Sequence, residues 1–123
     1  MSARTVWRYA LLIVLCLGIP AAFMGNSRAH ADDVPVIDIT ARRFAFSPEK
    51  ITLKQGKAVK LRIHSEDVTH GFFLRPLKLD EEIPAGQTVE VAVTPQVAGT
   101  FTLICDHFCG ANHGNMNMTV VVE

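Results

Sequence analysis

Twelve residues, Cys105 to Met116, constrain this chain more than any other part of it. They run Cys-x3-Cys-x3-His-x2-Met through Cys105, Cys109, His113 and Met116. Four soft or borderline donors so close together read first as a metal loop. Thiolate and thioether sulfur select soft ions of the Cu(I) type, and imidazole suits copper or zinc. The flanks, Thr100–Cys105 and Asn117–Glu123, are both strand-like. A ligand loop between two strands is pinned at both ends by sheet hydrogen bonds, so rigid elements hold its donors in place.

The rest of the chain from Asp32 onward also reads as strands. Val34–Thr40 alternates weakly, Ile51–Lys54 is short and β-branched, and Lys57–His64 alternates polar with apolar through Val59, Leu61 and Ile63. Thr88–Thr94 follows. Turn chemistry separates these runs at Ser47–Pro48, Gln55–Lys57, Ile83–Gly86, Thr94–Pro95 and Ala98–Gly99. About seven short strands at regular spacing, with no helical period, predict an all-β antiparallel sandwich or barrel. Asp80, Glu81 and Glu82 read as a solvated turn before Pro84, Met118 as a core residue of the last strand, and Arg42 and Arg43 as ordinary exposed positions.

At the N-terminus, Arg4 and Arg8 precede an apolar stretch from Tyr9 to Phe23, and Ala29-His30-Ala31 supplies a small-x-small ending. That is the layout of a secretory signal peptide over residues 1–31; the alternative is a single uncleaved membrane anchor. Both place residues 32–123 outside the cytoplasm, at the periplasmic or extracytoplasmic face of the membrane. This remainder is long enough for one small domain. The whole chain balances 12 basic against 12 acidic residues. With three arginines in the leader, the domain is mildly acidic, and nothing in it offers the basic face a nucleic acid requires. No paired carboxylates or nucleophile–base set suggest independent catalysis.

A further ligand has to come from another strand end. His70, in Val68-Thr-His-Gly-Phe-Phe73, is the candidate, because Gly71 beside it lets backbone approach closely. Other readings of these residues stay open. Cys105 and Cys109 could form a disulfide in an oxidising compartment. His70, Cys109, His113 and Met116 would make a mononuclear blue-copper site, which leaves Cys105 unexplained. His70, Cys105, Cys109 and His113 have the donor count of a zinc site, which leaves Met116 idle.

The loop pattern, with His-Gly-Phe upstream, resembles the dinuclear copper A (CuA) domain of cytochrome c oxidase subunit II, which also occurs in nitrous-oxide reductase. The likeness extends through Phe46-Ser47-Pro48 and the Pro84-Ala85-Gly86 turn. It implies a cupredoxin-like Greek-key β-sandwich carrying two copper ions in a mixed-valence centre. By this resemblance Cys105 and Cys109 bridge the two coppers, His70 and His113 each terminate one, Met116 is a weak axial ligand, and the carbonyl oxygen of His107 is its counterpart. Electron transfer follows as the implied function. The implied partners are a redox protein such as a c-type cytochrome, oxidase subunit I, and a copper chaperone for loading. The chain departs from the family at His107, where glutamate is common, and in having no tryptophan after its leader. A protein for copper delivery or storage is the alternative of a different class.

Overall fold

Strict alternation in the Lys57–His64 segment makes β4 (Val59–Ser65), which buries Val59, Leu61 and Ile63 while Arg62 and His64 face water. The computed structural model describes residues 34–123, so the signal peptide or anchor expected over residues 1–31 lies outside the described residues. Around β4 the described residues build two sheets from nine strands: β1 (Val36–Arg42), β2 (Ala45–Ser47), β3 (Lys50–Leu53), β4, β5 (His70–Leu74), β6 (Leu79–Ile83), β7 (Thr88–Val93), β8 (Gly99–Ile104) and β9 (Asn117–Val122). The first sheet has the order β2-β1-β4-β7 and the second β3-β9-β8-β5-β6. β1 pairs parallel to β4 and β3 parallel to β9; the other pairings are antiparallel. The expected all-β sandwich is therefore present, but two of its pairings are parallel where the sequence predicts antiparallel ones. Among the described residues no helix is long and apolar enough to cross a membrane.

Inward faces supply the core. Ile39, Leu61 and Ile63 from one sheet meet Phe72, Leu79, Leu103, Met118 and Val120 from the other, all at most 2% exposed. Phe46 of β2 stands edge-on to Phe72 of β5, with ring centroids 5.6 Å apart and planes at 81°, so an aromatic pair joins the two sheets. Met118 is buried on the last strand, as expected.

Two strands exceed the sequence reading. β2 has only three residues, anchored by the single buried ring of Phe46. β6 is the more informative difference, because Asp80-Glu81-Glu82 is strand rather than turn. Its inward ends, Leu79 and Ile83, are buried, but Glu81 occupies the inward position between them and masks the period of two. Charges on this strand also suit its place at the margin of a sheet, where they oppose pairing with another chain.

Leu61 is fully buried at the centre of β4, between β1 and β7. Leu61→Ala is expected to cost roughly 2–5 kcal/mol of stability through lost burial and a residual cavity, read as a lower urea midpoint with an unchanged slope.

Candidate metal centre

Antiparallel pairing of β8 with β9 ends at Ile104 and Asn117, and the Cys105 N–H extends the ladder by donating to the Met116 carbonyl at 3.1 Å. The loop is thus closed across two neighbouring strands. β5 lies on the other side of β8 and runs opposite to it, so its first residue, His70, arrives at the same end of the sheet. This is how one imidazole joins a loop 35 residues away. Gly71 makes the approach possible. Its N–H donates to Cys105 Sγ at 3.4 Å. A Cβ at this position would sit 2.6 Å from the His107 nitrogen and 2.8 Å from the Asp106 nitrogen, and would overlap the Asp106 carboxylate. Only glycine admits that contact between backbones.

The ligand atoms of His70, Cys105 and Cys109 all lie within 4.8 Å of one another, and all three residues are buried. Cys105 Sγ is 4.0 Å from His70 Nδ1, 3.6 Å from Cys109 Sγ and 3.2 Å from the carbonyl oxygen of His107. Met116 Sδ stands 3.8 Å from Cys109 Sγ, and both cysteines are free thiols. His113 opens a 3-10 turn, His113–Asn115, and its ring tilts against Phe108 with centroids 5.9 Å apart. It stands outside the close group of three. Its Nδ1 is nonetheless buried with no hydrogen-bond partner, as is that of His107. His64 is exposed and its Nδ1 pairs with Thr88 Oγ1.

These residues fit copper. The two thiols are adjacent and dry, a thioether lies beside one of them, and the group of three contains no carboxylate oxygen that would favour a hard ion. The orphan Nδ1 of His113 is what a ligand nitrogen looks like before it has a partner. Burial, together with the hydrogen bond and charge of Cys105, pushes the Cys109 thiol up from 9.0 to about 11. It is therefore neutral near pH 7, and binding a metal must release its proton.

Sequence reasoning missed Asp67 and Arg43. Asp67 accepts hydrogen bonds from the Arg43 N–H at 2.8 Å, the Val68 N–H at 2.7 Å and His70 Nε2 at 2.7 Å. An ionised carboxylate only accepts, so the His70 proton belongs on Nε2 and Nδ1 is left with its lone pair toward Cys105. The spacing Asp67-x2-His70 was the available signal, a carboxylate one turn before a candidate ligand. Arg43, read as ordinary surface, directs its Nε to the Cys109 carbonyl at 3.0 Å. Sixty-six residues separate the two, and no local pattern reports such a contact.

The family model for the cupredoxin-like domain matches residues 13–122. The chain belongs to the cupredoxin-like family. Cytochrome c oxidase subunit 2 of Thermus thermophilus is 33% identical over 85 residues, covering 69% of this cupredoxin-like chain and 63% of the relative. Nitrous-oxide reductase of Cupriavidus necator is 32% identical over 91 residues, covering 71% of this chain and 14% of that protein. The chain thus spans under two thirds of these relatives' lengths. In fold, it matches the periplasmic domain of cytochrome oxidase subunit II of Bradyrhizobium japonicum with a TM-score of 0.65 at 16% identity, covering 72% of this chain and 83% of that one. The resemblance to the CuA domain of subunit II stands on these relatives.

Burial acts to raise the Asp67 carboxyl, but its hydrogen bonds from Arg43, His70 and Val68 outweigh that and hold it at about 2, below its ordinary 3.8. A depressed carboxyl stabilises the fold above its unfolded value and loses that contribution as pH falls from about 4 toward 2. In metal-free protein, Asp67→Asn is expected to flatten this acid limb of stability, measured by urea unfolding at stepped pH.

Proposed function

We propose that this protein is an exported electron carrier whose loop holds two copper ions in the manner of a CuA centre. Cys105 and Cys109 would bridge the pair, His70 and His113 would each terminate one ion, and Met116 and the His107 carbonyl would be the weak outer donors. The observation that carries this reading is the position of Cys105. Its sulfur is as deeply enclosed as that of Cys109, lies 3.6 Å from it, and has neighbours of its own in His70 Nδ1 and the His107 carbonyl. A mononuclear site on Cys109 would leave that arrangement without a use.

Copper bound there supplies one-electron redox chemistry, spread over two metals and two sulfurs. The protein's part is to hold still. Asp67 fixes the tautomer and orientation of His70, Gly71 donates a hydrogen bond that favours charge on Cys105, and the β8–β9 ladder fixes both ends of the loop. Burial of both cysteines and Met116 keeps water from the donors. With every position filled from the protein, no site is left for a substrate, so the centre relays electrons rather than transforming a bound molecule. The domain would then act either as a free carrier or as the electron-entry part of a terminal oxidase. It would face a redox protein such as a c-type cytochrome on one side and oxidase subunit I on the other, and receive its metal from a copper chaperone. The periplasmic setting named for the Bradyrhizobium domain supports an extracytoplasmic location.

The test is electron paramagnetic resonance with a visible spectrum on protein loaded with copper while its thiols are reduced, and then held in the oxidised, mixed-valence state. Hyperfine splitting from two equivalent coppers is expected, abolished by either Cys105→Ser or Cys109→Ser. Splitting from one copper that survives Cys105→Ser would establish a mononuclear site instead, and absence of any thiolate-to-copper band would refute the carrier.

A further inference from the structure

Arg43 and Phe44 form the turn between β1 and β2, in the sheet that does not carry the metal loop. Yet this turn lies directly over Cys109 and Gly110. The guanidinium Nε donates to the Cys109 carbonyl at 3.0 Å in a part-buried setting. A Cβ built at Gly110, where φ is +142°, would meet the Phe44 ring at 2.8 Å and Arg43 Nε at 3.7 Å. The backbone N–H of the same arginine donates to Asp67, which holds His70 through its other oxygen. One residue of the first sheet therefore reaches a cysteine of the loop and, through Asp67, the histidine of β5.

Building on the copper reading above, we propose that Arg43 is a positioning residue of the metal centre. Its guanidinium clamps the loop at the Cys109 carbonyl across the two sheets, and its positive charge beside that cysteine favours the reduced site. A cation near a redox centre stabilises the state that has gained the electron, so the sign is fixed: removing the charge lowers the potential. A hydrogen bond from a charged donor is strong enough to hold a loop amide closed roughly tenfold or more over the untied state.

Arg43→Gln and Arg43→Lys separate the two effects. Substitution keeps the backbone N–H, so Asp67 and His70 remain tied and only the guanidinium is read. In metal-free full-length protein, hydrogen exchange at the His113 amide, which donates to the Gly110 carbonyl at 3.2 Å, is expected to quicken roughly tenfold in Arg43→Gln while β4 and β9 are unchanged. In copper-loaded protein the midpoint potential is expected to fall, a tenfold shift of the redox equilibrium being about 59 mV for one electron. Arg43→Lys should restore the potential but not the slow exchange. The proposal is overturned if Arg43→Gln matches the parent in both readouts, or if exchange quickens equally in β4 and β9, which would mark a general loss of stability. Should the parent bind no copper through thiolate, the carrier reading fails, and the exchange measurement still decides the clamp.

Discussion

Contact between the loop and the backbone of β5 at Gly71 is the constraint on which the candidate centre rests. Sheet pairing brings His70 to the correct end of the sandwich, but pairing alone leaves side chains between a strand and a neighbouring loop. Removing one Cβ lets Asp106 and His107 close onto the strand, and the Gly71 N–H then reaches Cys105 Sγ at 3.4 Å. Everything nearer the sulfurs follows from that approach. The His107 carbonyl falls 3.2 Å from Cys105, and the His70 Nδ1 falls within 4.0 Å of the same atom. A methyl group at position 71 would push the loop outward and separate the strand's donor from the loop's.

The loop itself was legible because its information is local. Cys105, Cys109, His113 and Met116 carry distinctive chemistry at short spacing, and the strands on either side announce themselves by β-branched residues. His70 was legible for a different reason: a loop with too few ligands asks for another, and a histidine beside glycine at a strand start answers. What stayed hidden was contact across sheets. Arg43 is an unremarkable arginine until β1 and β2 are packed over β8 and β9, and β6 hides its alternation because Glu81 takes an inward position. The relative placement of His113 also could not be read from spacing. Its ring is turned onto Phe108 and lies outside the group formed by His70, Cys105 and Cys109.

That last difference has a physical sense. A site whose donors were all preset against one another would crowd two sulfurs and two imidazole nitrogens with nothing between them. Here His70 is fully buried and held by Asp67, whereas His113 sits in a short 3-10 turn with its ring against an exposed phenylalanine and its Nδ1 unpaired. One histidine belongs to the sheet and the other to the loop. The sheet side is the fixed template, and the loop side is where adjustment on metal binding costs least, because a turn has fewer packing contacts to break than a strand end in the core.

Folding and metal binding are consequently coupled in one direction more than the other. One of the six candidate donors is out of reach without the sandwich: His70 needs β5 beside β8. The unfolded chain retains the local loop sequence and can still bind copper weakly through it, which reduces the stabilisation that metal confers on the native state. Because most of the buried core, Leu61, Ile63, Phe72, Leu103 and Val120 among it, comes from the strands, with Cys105, Cys109 and Met116 adding to one end, the β-sandwich has its own reason to fold. Metal then completes the end of a structure already formed, releasing the proton of the Cys109 thiol that burial had kept neutral. The donor frame set by the sheets is thus in place before the loop side adjusts, with His70 already held by Asp67.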